Sequence, residues 1–135
     1  MPSAEPASIP QLANRCPCLS GSTFGECCGP LIAGARDAPT AVQLMRSRFT
    51  AFAIGARDYL LKTWHPSTRP STLELDLSMR WYRLDVMRTE RGGPLDRTGS
   101  VEFRAYYRGP GRGELHETSS FVREAAGWRY VDGVR

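Results

Sequence analysis

Four cysteines, Cys16, Cys18, Cys27 and Cys28, fall within the thirteen residues CPCLSGSTFGECC, and the chain has no others. They form two close thiol pairs, C-x-C and C-C, separated by a polar stretch that contains Gly21 and Gly25. Such pairs can converge on one metal, and four soft thiolates match the tetrahedral preference of Zn²⁺. Iron accepts the same donor set, so the spacing leaves zinc and iron both open. A closed four-thiolate shell offers no position to a substrate, which makes a structural site, one metal per chain, the expectation. Disulfides are the alternative chemistry. Cys27 and Cys28 could join only through a strained ring, whereas crossed pairs remain sterically allowed. Crossed pairs suit a secreted protein, and the start MPSAEPASIP has neither the basic residues nor the apolar run of a signal peptide. No apolar run is long enough to span a membrane. The expectation is a cytoplasmic chain whose reduced thiols are available to metal.

A second set of residues could handle a ligand. Trp64, His65, Arg69, Glu102, Arg104 and His116 combine an aromatic, two imidazoles, guanidinium groups and a carboxylate, with Arg46, Arg48 and Glu117 as further members. Histidine is the natural proton carrier near neutral pH. His116 and Glu117 are neighbours on an expected strand and face opposite sides, so they cannot form a dyad on one face. His65 and His116 could meet across a pocket, one from the helices and one from the sheet. Arg46 and Arg48 lie two apart on an expected helix, so at most one lines any pocket. The plain reading of each histidine is local: His65 at a helix end ahead of Pro66, His116 on a solvated strand. Trp64, Trp81 and Trp128 read as core or pocket wall. No G-x-S-x-G elbow or phosphate loop is present, and GPGRG reads as a hairpin turn.

The elements that must position these groups can be read from the pattern. At 135 residues the chain is one main domain with a small appendage. Residues 1–14 read as a disordered lead, 15–35 as the thiol module and 36–135 as the main domain. The module is too short and polar to fold by burial, so metal would supply its folding free energy. Thr40 followed by Gln43 is a capping pattern that starts a helix through AVQLMRSRFTAFAI, with apolar residues at 41, 45, 49 and 52 on one face and Gly55 at its end. A second helix is expected from Asp58, as its cap, to about Trp64. Residues 71–79 fit either strand or irregular chain. Four period-two strands follow. Tyr82, Leu84 and Val86 share a face of the first, and Val101, Phe103, Ala105 and Tyr107 share a face of the second. ELHETSSFVRE and WRYVDGV are the third and fourth. Helices first and strands later imply an α+β fold with helices packed on a curved antiparallel sheet.

Charge says little about partners. The formal net charge is +4, and four thiolates on one Zn²⁺ would reduce it to +2. The chain is not a polycation, and specific nucleic-acid binding is not expected. Seventeen of the basic residues are arginines and Lys62 is the single lysine, a bias that G- and C-rich codons explain.

CPCLSGSTFGECC resembles the SEC-C motif, a small zinc-binding element also found at the C-terminus of the SecA translocation ATPase. APTAVQLMRSRFTAFAIGARDYLLKTWHPSTRP, GSVEFRAYYR, HETSSFVRE and GWRYVDG are similar to the YchJ family of small bacterial proteins. The resemblance runs from about Arg15 to Gly133. It implies a SEC-C zinc module joined to a cystatin-like domain of the nuclear transport factor 2 class, a curved sheet wrapped on helices around a conical pocket. Many SEC-C motifs end in Cys-His where this one ends in Cys-Cys, and Leu19 stands where Gly is common. The family brings no established reaction. The SEC-C resemblance implies a docking surface for a ribosome or an export chaperone, hence a non-enzymatic adaptor. The rival expectation is a small-ligand or enzymatic pocket using His65, Arg69 and His116. Loss of Cys16 or Cys27 is expected to unfold only the short module, and a homodimer through the open sheet face is a further expectation.

Overall fold

The computed structural model describes residues 9–135. A short 3-10 turn, Phe24–Glu26, leads into helix α1 (Cys28–Ile32), then α2 (Ala41–Ile54) and α3 (Arg57–Lys62). Four strands follow: β1 (Arg80–Arg91), β2 (Thr98–Arg108), β3 (Arg112–Glu124) and β4 (Gly127–Val134). They pair antiparallel in chain order, a meander. No described helix is long and apolar enough to cross a membrane.

Helix α2 begins as its sequence dictates. Thr40 Oγ1 accepts from the Gln43 backbone N–H at 3.2 Å and donates to Gln43 Oε1 at 3.0 Å, satisfying an end group that has no partner inside the helix. Gly55 ends it in the left-handed conformation, φ 79°, where glycine carries no Cβ penalty. The buried set is wider than the stripe at 41, 45, 49 and 52: Leu44, Ser47, Arg48, Thr50, Ala51 and Ile54 are buried too. The reason is packing on more than one side. The sheet lies against one side of α2, and the cysteine module against another.

The module is therefore no loose appendage. Cys16, Cys18, Cys28, Phe24 and Leu31 belong to the same buried cluster as Leu44, Phe49 and Leu60 of the main domain. Residues 9–14, assigned by composition to the lead, are tied in. Leu12 O accepts from Gly25 N at 2.9 Å and Asn14 O from Phe24 N at 2.8 Å. Residues 1–8 of that lead lie outside the described residues.

Helix α3 differs from its expected form. It spans Arg57–Lys62, and the cap position is Ala56, with no side-chain cap bond. Asp58 sits inside the first turn, where a carboxylate favours the positive helix end without capping it. Residues 71–79 resolve as irregular chain, with Leu73 and Leu75 half-buried against the core.

The sheet curves because its ladder is interrupted. Register shifts occur between Trp81 and Arg83, between Val86 and Arg88, and between Ser120 and Phe121, and bulges bend a strand and raise its twist. The first also re-aims side chains. Trp81, not Tyr82, joins Leu84 on the inner face and meets Phe49 and Tyr107 edge-on at 6.5 and 5.1 Å. Tyr82 is 41% exposed and lies under the Arg108 guanidinium at 4.0 Å. The inner face of β2 follows the alternation: Val101, Phe103 and Ala105 are buried and Tyr107 is half-buried.

Candidate functional site

The chain folds around the thiols before any metal is considered. Cys16 N donates to Ser22 O at 3.0 Å, and Leu19 N donates back to Cys16 O at 3.0 Å, closing a knuckle around Pro17 and Cys18. All four Sγ atoms lie within 4.8 Å of one another. Cys18 to Cys27 is 3.6 Å and Cys27 to Cys28 is 3.8 Å. A tetrahedral ion with metal–sulfur bonds of about 2.3 Å needs sulfurs about 3.8 Å apart, so the cradle has the right size.

Crowding splits the protonation of the thiols. Hydrogen bonds from the Cys16 and Cys28 thiols pull Cys18 far below the ordinary thiol range. The same crowding pushes Cys28 up through its contacts with Cys16 and Cys18, and burial pushes Cys27 up to about 11. Four thiolates cannot share this space without a positive ion to balance them. Hydrogen bonds surround the sulfurs. Thr50 of α2 donates to Cys28 Sγ at 3.4 Å and lies 3.8 Å from Cys16 Sγ, while Ser20 Oγ meets Cys27 Sγ at 3.2 Å. Arg46 Nη1 donates to Cys18 O at 2.8 Å, so a cation of the main domain grips the knuckle itself.

Two predictions arise here. Thr50 is fully buried, and Thr50→Val keeps its shape while removing its hydroxyl; metal affinity should fall about 10–100-fold, the usual worth of a partner that orients ligands. Competition against a chromogenic chelator measures it. Leu19 has φ 63° and is 51% exposed, so the glycine common at this place in the motif has a conformational reason. Leu19→Gly should stabilise the metal-bound module by up to about 1 kcal/mol, read as slower metal release to chelator.

A cavity of ≈ 460 Å³ opens between α2 and the inner face of the sheet. Its walls are mostly apolar and aromatic, including Phe49, Phe52, Trp81, Phe103 and Phe121. Polar groups come from Arg48, Glu117, Ser119 and Tyr130. Arg48 is 6% exposed and reaches across to α3, where Nη1 donates to Leu60 O and Thr63 Oγ1, both at 2.8 Å. Its guanidinium stacks 5.0 Å from the Trp64 ring centre and 4.5 Å from that of Tyr130. Burial lowers its pKa to about 10, and burial together with the charge of Glu117 raises that of Tyr130 to about 12. Ser119 Oγ donates to Glu117 Oε2 at 2.7 Å. Gly133 opposes Ser119 on β4, and a Cβ there would come within 1.9 Å of Glu117 Oε2. The glycine makes room for that carboxylate.

The residues singled out in the sequence divide between this cavity and the surface. Trp64 lines the cavity, held by a parallel bridge to Tyr130 in which His65 N donates to Tyr130 O at 2.7 Å. His65 itself does not line it. Its Nε2 meets Glu124 Oε2 at 2.9 Å and its Nδ1 meets Ser67 Oγ at 2.7 Å. Arg69 Nε donates to Trp64 O at 3.0 Å and is likewise outside. Glu102, Arg104 and His116 alternate with the buried inner residues and occupy the outer face, where His116 Nε2 meets Glu102 Oε2 at 2.7 Å and Arg104 Nε lies 3.6 Å from Glu114. The meeting of His65 and His116 across a pocket does not occur. Glu117, the neighbour of His116, points inward, and of the two helix arginines Arg48 lines the cavity while Arg46 holds the cysteine knuckle. Thr50, Ser119 and Tyr130 had no sequence signal of their own.

Comparison with known proteins agrees with both halves. Residues 14–30 match the SEC-C motif, and residues 40–133 match the middle NTF2-like domain of YchJ. A UPF0225 protein of Corynebacterium glutamicum is 51% identical over 122 residues, covering 90% of this chain and 98% of that protein. The solution structure of a SEC-C motif containing protein from Rhodopseudomonas palustris superposes with a TM-score of 0.76 at 32% identity, over 88% of this chain and 96% of that one. A crystal structure of another, from Psychrobacter arcticus, gives 0.71 at 28% identity, over 90% and 82%. With a cysteine cluster able to hold a metal ion joined to an NTF2-like α+β domain, the chain belongs to the YchJ family of SEC-C motif proteins, the UPF0225 proteins.

Proposed function

We propose that this is a non-enzymatic adaptor whose zinc-bearing SEC-C module docks on a protein surface. The observation that carries it is a set of exposed aliphatic side chains on the module and on the segment that leads into it: Ile9 is 72% exposed, Leu12 69% and Leu19 51%. A metal would fix the knuckle that presents Leu19, and Leu12 is tied to the module through the bond its carbonyl accepts from Gly25 N; exposed apolar groups on a rigid frame are what a protein partner covers. Zinc suits the site because a closed shell of four thiolates matches its tetrahedral preference and leaves no open position. Elemental analysis of the purified protein decides between zinc and iron, with one zinc per chain expected.

The ribosome and an export chaperone are the partners that the SEC-C resemblance suggests. The test is co-sedimentation of the zinc-loaded protein with ribosomes, and gel filtration with the purified chaperone, at low and moderate salt. Binding should survive moderate salt and be lost in the doubly substituted Leu12→Ser, Leu19→Ser protein. Binding that salt removes equally from both proteins would mean generic arginine electrostatics instead.

A further inference from the structure

We propose that the cavity between α2 and the sheet is a binding site for a small organic acid with a flat apolar body, whose carboxylate is received by Arg48. This goes beyond the docking role and uses a different part of the molecule. A cavity of ≈ 460 Å³ lies in the range of small-molecule sites, and aromatic walls with a few converging polar groups are their usual lining.

The charge distribution selects the ligand class. Arg48 is a buried cation that makes no ion pair with a carboxylate among the described residues. Its two bonds to Leu60 and Thr63 both come from Nη1, leaving Nε and Nη2 for another acceptor. A buried charge is costly unless it is paired, and a bidentate carboxylate is the natural partner of a guanidinium. The stacked rings of Trp64 and Tyr130 attract the cation and hold it flat, but they accept none of its in-plane hydrogen bonds. A second donor is available nearby. Nε1 of Trp64, a residue lining the cavity, is buried with no hydrogen-bond partner among the described residues, which is rare for a buried polar atom.

Glu117 narrows the class further. Its carboxylate also lines the cavity, where Ser119 donates to it and Arg135 approaches to 3.9 Å. A dianion such as a phosphate ester would meet that charge unfavourably, whereas a monoanion needs to neutralise only Arg48. The apolar walls then favour an aryl or alicyclic body over a sugar or a polyol.

The probes are phenylpropionate, its neutral amide phenylpropionamide, and phenyl phosphate, each titrated into the metal-loaded protein. Binding is read from tryptophan fluorescence and from NMR shifts of the backbone and indole N–H groups. The wild-type protein should bind phenylpropionate at least roughly tenfold more tightly than the amide, the worth of one charge-assisted hydrogen bond. The shifts should centre on Trp64 Nε1 and the inner strand residues, and phenyl phosphate should bind more weakly than the carboxylate. Arg48→Gln, which removes the charge, should erase the preference for acid over amide. Because Arg48 also ties α2 to α3, Trp64→Phe is the second variant; it keeps a ring in the wall, removes the N–H, and should weaken the acid several-fold more than the amide. Equal binding of acid and amide by the wild-type protein would overturn the proposal. So would shifts confined to the outer face, or no binding of any of the three probes at millimolar concentration.

Discussion

Cys16→Ser should leave the protein unable to retain one metal per chain and should lower the stability of the main domain as well as the module. The first half follows from the donor set. A serine hydroxyl is a poor ligand for a soft-metal site, and binding free energy at structural zinc sites of this kind is on the order of 10–16 kcal/mol in isolated peptides, where it is folding free energy. The second half follows from packing. Cys16, Cys18 and Cys28 are 1%, 0% and 1% exposed and share a core with α2, which Thr50 and Arg46 also tie to the knuckle. Opening the module would expose Phe24 and Leu31 and uncover the Thr50 side of α2, costing the main domain about 2–4 kcal/mol in burial alone. The expected readings are metal content below one per chain and a main-domain melting temperature lower by on the order of 10 °C. Excess chelator on the wild-type protein should give the same shift. Retention of one tightly held metal would exclude the four-thiolate site. Metal loss with an unchanged main-domain transition would restore the picture of an independent appendage.

That coupling marks the boundary of what the sequence could convey. Thiol spacing, the Thr40–Gln43 capping pair and the alternation of β2 are local signals, and local signals survive into the structure because one element decides them. Three departures from the local pattern share a different origin. Simple alternation puts Tyr82 on the face that Trp81 takes, because one bulge reverses every side chain beyond it, and a bulge is fixed by strand pairing, not by composition. Asp58 looked like a cap, yet Ala56 occupies that position because the left-handed turn at Gly55 sets where α3 can begin. The histidines offer the more conspicuous chemistry in the sequence, while the polar groups that line the cavity include Arg48 and Glu117, which stand far apart in the chain and come to one cavity only through the packing of α2 on the sheet. His116 and Glu117 show how narrow the margin is: the parity of one strand sends the carboxylate inward and the imidazole out.

Trp128→Ala is expected to be the most damaging single substitution outside the metal site, at about 3–5 kcal/mol. Trp128 is 1% exposed, and its Nε1 reaches Pro39 O at 3.3 Å, so it clamps the segment before α2 onto β4. Its truncation leaves a hole that the rigid strand beneath cannot close, and it frees the segment that delivers Thr40 to start α2. Against a total stability of about 5–15 kcal/mol this is a large fraction, and the melting temperature should fall by on the order of 15 °C. Trp128→Phe should recover most of the loss, because the ring does the packing and the 3.3 Å hydrogen bond is weak. Trp64 provides the contrast. It is half-buried, lines the cavity and already has an unpaired N–H, so Trp64→Phe should change stability by less than about 1.5 kcal/mol while weakening acid binding. Thermal melts of the two phenylalanine variants, each paired with a phenylpropionate titration, separate the roles. If Trp64→Phe were the less stable protein and Trp128→Phe the weaker binder, the assignment of one indole to the core and the other to a ligand would be reversed.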